Sequence, residues 1–262
     1  MESTMKLLLL ITLFLSVSCA SSSKSINYKI DGKDYQGYLA TPKNSDGKKP
    51  AVIVIHEWWG QNDYAKMRAD MLAKEGYIAF ALDMYGEGQT TENPEKAGEL
   101  AGNVYGNMKT AENRFKAALN YVKSLPNVDQ NKIAAIGYCF GGGLVLHMAR
   151  AGFDLDGVIS YHGTLKPFGK DVKRGQIKGE VLAFNGAADP MVPKAQVVGF
   201  NKEMKAAKVK YQSIDYPGAL HAFTNPGATE VGKKWNLPVA YDEQADKDSW
   251  SKSLAFLNKV LK

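Results

Sequence analysis

From residue 27 onward, short β-branched or apolar runs alternate with helix-length amphipathic stretches, a pattern that predicts parallel strands joined by crossover helices. Polar–apolar alternation over 27–31 and 35–40, centred on Gly32, predicts an opening antiparallel hairpin. Ala51-Val52-Ile53-Val54-Ile55 is the first fully apolar strand. A helix over 62–75 follows, then a buried strand over 77–82, a loop over 83–88, and a long helical region reaching Leu125 with breaks near Gly102 and Gly106. Further strands are expected at 132–138, 158–161, 181–185 and 211–215, with helices at 144–150, 195–207 and 246–261. Right-handed crossovers turn this order into an α/β fold, a mostly parallel doubly wound sheet with helices on both faces.

The residues ahead of that pattern read as an address. After Met5-Lys6 the apolar run 7–17 has the length of a signal-peptide core and is well short of the ~20 residues that cross a bilayer. It ends in Leu15-Ser16-Val17-Ser18-Cys19-Ala20, small residues before a cysteine, followed by Ser21-Ser22-Ser23. This resembles a bacterial lipoprotein cleavage box, with lipidation at Cys19; ordinary cleavage after Ala20 is the alternative. The expected organisation is an export segment 1–19, a polar tether 20–26 and a single domain 27–262. The expected destination is a bacterial envelope, periplasmic or tethered to the membrane only through the N-terminal lipid.

Composition narrows the class further. A chain of 262 residues, 45% hydrophobic and 23% charged, is neither disordered nor collagen-like. The net charge of +6 comes from 33 basic residues, all but four of them Lys and singly spaced, so it solvates surfaces and does not point to nucleic acid. Only Cys19 and Cys139 exist. With the first lipidated or removed, Cys139 is an unpaired thiol in an exported protein.

The expected strand 132–138 runs into Gly137-Tyr138-Cys139-Phe140-Gly141-Gly142-Gly143 and then into an apolar helix. This is the Gly-x-nucleophile-x-Gly elbow with cysteine as nucleophile; glycines at 137 and 141 let helix and strand approach, and the helix N-terminus favours the thiolate. A P-loop and a dinucleotide fingerprint both fail, since neither Gly-Lys-Ser/Thr nor Gly-x-Gly-x-x-Gly occurs there. The partners of an elbow nucleophile follow in the order acid, histidine. Asp189 stands in the turn after strand 181–185 and His221 in the loop after strand 211–215. Backbone N–H groups of Phe140 and Trp58 are the expected oxyanion hole, and Glu57, beside Trp58, is placed to accept the thiol proton or to keep the thiol neutral. Trp59, Tyr85, His162 and Phe223 are the expected pocket residues. His147, Trp235 and Trp250 read as packing, and Asp83 as a stabiliser of its loop.

His56-Glu57-Trp58-Trp59-Gly60, Asp83-Met84-Tyr85-Gly86, Gly137-Tyr138-Cys139-Phe140-Gly141-Gly142 and Leu220-His221-Ala222-Phe223 together resemble the dienelactone hydrolase family of α/β-hydrolases over residues 27–262. The resemblance implies an ester or lactone hydrolase with Cys139, Asp189 and His221 as its triad and Glu57 as the group that activates the thiol. It implies a small-molecule substrate, no cofactor and no metal. Dienelactone-cleaving members hold the substrate carboxylate with arginines after the second parallel strand and just beyond the catalytic histidine, and the segments 83–90 and 222–226 contain none. Two alternatives remain open at this level: a peptidase or polymer esterase of the same fold, and a non-catalytic surface binding lipoprotein.

Overall fold

The computed structural model describes residues 21–30, 32–43 and 46–261. The export segment, with Cys19, lies outside the described residues. Eight strands form one sheet in the order β1-β2-β4-β3-β5-β6-β7-β8. They are β1 (Ser22–Ile30), β2 (Lys33–Thr41), β3 (Lys49–Ile55), β4 (Ile78–Leu82), β5 (Val128–Tyr138), β6 (Gly157–Tyr161), β7 (Glu180–Gly186) and β8 (Tyr211–Tyr216). β2 pairs antiparallel with both β1 and β4, and every pairing from β4 through to β8 is parallel.

Seven helices complete the described chain: α1 (Asp63–Lys74), α2 (Pro94–Tyr105), α3 (Met108–Ser124), α4 (Phe140–Arg150), α5 (Lys194–Ala206), α6 (Ala228–Trp235) and α7 (Glu243–Leu261). Alternate residues of each central strand enter opposite layers, as the two-residue period of a strand demands. Ile53, Ile55, Ile133 and Ala135 pack with α2 to α5 around Phe115, Leu144, Val145 and Phe200. Val52, Val54, Ala134 and Ile136 pack on the other face with α1 and α7 around Leu72 and Leu257. The expected helix-covered α/β sheet is the architecture found.

Three local differences have physical causes. β1 starts at Ser22, so residues 22–26, expected as a tether, are strand. Its Ser and Lys side chains carry no apolar signal, and it is an edge strand defined by backbone pairing with Gly37 to Thr41. α4 starts at Phe140, four residues before the expected position, because Gly141, Gly142 and Gly143 lie inside its first turns. Those glycines permit close contact. A Cβ on Gly141 would stand 2.3 Å from the Ile55 carbonyl oxygen, and one on Gly142 2.9 Å from Gly163 Cα. Finally, α6 was not foreseen; it occupies the segment between His221 and the closing helix, ending at left-handed Asn236.

Candidate active site

Parallel strands bring their carboxyl ends to one edge of the sheet, where binding and catalytic groups collect. Cys139 follows β5 directly and precedes α4, with φ 52° and ψ −114°, a conformation costly for a residue with a side chain. The surroundings hold it there. A Cβ on Gly137 would lie 2.0 Å from the Gly141 carbonyl oxygen, so only glycine lets the turn close this tightly. The Cys139 N–H is shared between the Tyr161 carbonyl at 2.9 Å and Nδ1 of His162 at 3.1 Å. The thiol is half-buried, at the positive end of α4.

Asp189 sits in the turn after β7, where Oδ1 accepts the Met191 N–H at 2.7 Å. Its other oxygen, Oδ2, lies 2.7 Å from Nδ1 of His221, which follows β8. Both are buried, at 4% and 5% exposure. An ionised carboxylate only accepts, so Nδ1 carries the proton and Nε2 is the free end of the ring. Nε2 is buried without a well-formed hydrogen bond, and the group beside it is Cys139. Burial disfavours imidazolium, but the Cys139 charge and the Asp189 hydrogen bond outweigh it and raise His221 to about 10. Cys139 and Asp189 thus both favour the protonated form of His221.

Glu57 stands in the same cavity as Cys139 and His221. It is 2% exposed, and burial pushes its carboxyl up to about 7 against the opposing effects of the Asn225 hydrogen bond, His221 and Arg68. Asn225 Nδ2 donates to Glu57 Oε2 at 2.7 Å. Sequence reasoning passed over Asn225, although it lies four residues past His221 in the loop scanned for arginine. The turn carrying Glu57 is fixed by His56, whose Nδ1 donates to the Glu57 carbonyl and whose Nε2 accepts the Met84 N–H at 3.2 Å. Among the described residues, the backbone N–H groups of Trp58 and Phe140 have no protein partner.

Of the expected pocket residues, Trp59 lines this cavity, and Tyr85, His162 and Phe223 do not. Tyr85 donates its hydroxyl proton to the Trp58 carbonyl at 2.8 Å and so holds the turn from behind. Phe223 is fully buried. His162 lies behind Cys139, its Nε2 2.8 Å from Thr224 Oγ1, which in turn meets the Tyr64 hydroxyl at 2.6 Å. Arg68 closes this network by donating to the Thr224 carbonyl at 2.6 Å and to Asp246 at 2.5 Å. Burial, then the charges of His221 and Arg68, lower the His162 pKa well below 6.5 and keep its ring neutral. Asp83 accepts four backbone N–H groups, from Gln36, Tyr85, Gly86 and Gly88, which accounts for the shape of its loop.

This geometry has recognisable relatives. The sequence pattern of the Dienelactone hydrolase family matches residues 35–261. The chain belongs to the dienelactone hydrolase family. It is 30% identical to "Protein usf" of Aquifex pyrophilus, covering 90% of this chain and 98% of that protein. Its fold matches the dienelactone hydrolase-like promiscuous phosphotriesterase P91, from metagenomic libraries, at a TM-score of 0.84 and 30% identity, over 93% of this chain and all of P91. It matches the structure titled m3DLH at a TM-score of 0.86 and 31% identity, with the same coverage. The protein is thus a hydrolase of this family, and three of its four arginines are spent on structure: Arg68 on Asp246, Arg114 on the Tyr35 hydroxyl and the Met84 carbonyl, and Arg150 on Glu203. No arginine or lysine lines the cavity at Cys139.

Proposed function

We propose that this dienelactone hydrolase family member cleaves neutral esters or lactones through a thioester on Cys139. The observation that carries the reading is the 2.7 Å contact between His221 Nδ1 and Asp189 Oδ2, with the opposite ring nitrogen left to the elbow cysteine. The thiolate attacks the substrate carbonyl carbon, and the developing oxyanion is met by the N–H groups of Trp58 and Phe140. The carbon–oxygen bond to the leaving group breaks, and imidazolium at His221 gives its proton to the departing alkoxide. Water, deprotonated by His221, then attacks the thioester and frees the carboxylic acid and the Cys139 thiolate. Before attack His221 takes the thiol proton, and the buried Glu57 carboxyl in the same cavity assists that transfer.

A lining without arginine or lysine supports substrates that carry no carboxylate, because a bidentate cation, the usual means of holding one, is missing from the cavity. A panel of short-chain chromogenic esters, lactones, peptides and phosphotriesters assayed with wild type and Cys139→Ala tests the reading. Ester or lactone turnover that disappears in Cys139→Ala is expected, and full retention of activity overturns it. Iodoacetamide separates an enzyme from a binding module, since only an activated thiol reacts fast and loses turnover with it. The same reading assigns residues 1–19 to export and Cys19 to lipidation. Mass spectrometry of the mature N-terminus showing an unmodified Ser21 start overturns the lipid.

A further inference from the structure

The cavity in contact with Cys139 has a volume of about 30 Å³. That is space for two or three waters, each needing roughly 10–15 Å³ on the same measure. A second cavity of about 280 Å³ adjoins it, and the two share the side chains of Trp59, Asn225 and Val231. This larger space exceeds the roughly 150 Å³ that encloses a benzene ring in an apolar cavity. Its walls include three aromatic side chains, Trp59, Tyr64 and Trp235.

Trp235 was expected to be packing, yet it is 38% exposed at the end of α6 and lines this cavity. A large aromatic left partly bare beside a cavity that continues a catalytic one is a surface for a flat ring. The rim carries one charge of each sign: Lys234 Nζ lies 3.6 Å from Glu92 and 5.3 Å from the centre of the Trp235 ring, so it has no net charge. The cavity is therefore suited to an uncharged ring.

The chemistry sets which half of the substrate goes where. During turnover the acyl carbon becomes bonded to Cys139, so the acyl group occupies the small cavity, while the alcohol departs and needs the larger one. We propose that the cavity lined by Trp59 and Trp235 binds the aromatic alcohol of the substrate, so that the enzyme's substrate class is aryl esters of short acids. This rests on the cysteine-hydrolase reading above. Sulfur bonds to the acyl carbon as the aryl–oxygen group leaves with a proton from His221; water then releases the short acid.

The test uses 2-naphthyl acetate, 2-naphthyl octanoate and ethyl acetate with wild type, Trp235→Ala and Trp235→Phe, together with calorimetric binding of 2-naphthol to Cys139→Ala with and without Trp235→Ala. Turnover of the acetate in preference to the octanoate is expected. Trp235→Ala should raise KM for 2-naphthyl acetate about tenfold with little change in kcat, and Trp235→Phe should restore most of the loss. Binding of 2-naphthol should weaken about tenfold with Trp235→Ala. An unchanged KM in Trp235→Ala, or octanoate cleaved better than acetate, overturns the inference while leaving the cysteine mechanism standing. Trp235-dependent binding of 2-naphthol with no ester cleaved at all supports the ring site and overturns the mechanism.

Discussion

Nδ1 of His162 accepts the backbone N–H of Cys139 at 3.1 Å, so the strained turn at Cys139 is held by a ring that does not line the cavity. Because Nδ1 accepts, Nε2 carries the proton and donates to Thr224, three residues beyond His221. One neutral imidazole thus ties the Cys139 elbow to the loop that carries His221.

Replacing that ring with Phe removes the acceptor from Cys139 and the donor from Thr224. His162→Phe should lose about 1–3 kcal/mol of stability, several degrees in Tm. It should lower kcat by about ten- to a hundredfold with KM little changed, since the misplaced group is the nucleophile. The substitution should also flatten the acid limb of stability. A histidine held below 6.5 when folded binds its proton more readily when unfolded, so its contribution is present above that pH and lost as pH falls. Thermal scans from pH 4 to 8 on both proteins check this, and parallel acid limbs count against it.

Asp189→Asn keeps an oxygen for the Met191 N–H but places an amide opposite His221 Nδ1, where it no longer fixes the tautomer. A loss of about 10³–10⁴ in kcat is expected, with the fold intact by circular dichroism. A change of less than tenfold would remove Asp189 from the mechanism.

Much of this site could be read from the chain because it depends on local order. Gly137 and Gly141 flank Cys139 for a steric reason that survives without coordinates, and Asp189 and His221 each follow an apolar strand. His162 and Asn225 are different. Their partners, Thr224 and Glu57, lie 62 and 168 residues away, and no periodicity carries such pairings. Arg68 sits on an amphipathic helix and reads as solvated, yet it is 2% exposed because Asp246 and the Thr224 carbonyl neutralise and bind it. α6 is eight residues long and lacks a side-chain cap, so its helical signal is weak, yet its Val231 lines both cavities and its Trp235 the larger one.

Glycines here differ in what they do, and alanine separates them. Gly137→Ala places a Cβ 2.0 Å from a backbone oxygen with no flexible side chain to yield, and should cost more than about 4 kcal/mol or prevent soluble expression. Gly98, inside α2, has nothing within 4 Å of the same position, and Gly98→Ala should stabilise by about 0.5–1 kcal/mol. Urea denaturation of both variants reads the contrast, and a well-folded Gly137→Ala enzyme would contradict the close strand–helix approach.

Glu57 links the site to pH. Its carboxyl titrates near 7 in the fold against an ordinary 4.5, chiefly because burial disfavours the charge. Between those values the folded protein holds a proton that the unfolded chain has released, so the contribution is complete below about 4.5 and is lost as pH rises through 7. Glutamine is neutral at every pH. Glu57→Gln should therefore match wild type in stability at pH 4.5 and exceed it by up to roughly 3 kcal/mol at pH 9. Its activity should fall across the same range, since an amide does not assist the transfer of the thiol proton to His221. Urea denaturation at the two pH values, paired with ester turnover, decides the matter. A stability difference that does not grow with pH means that the charge on Glu57 is solvated or compensated, and the acid beside Cys139 is then not the buried group that assists proton transfer to His221.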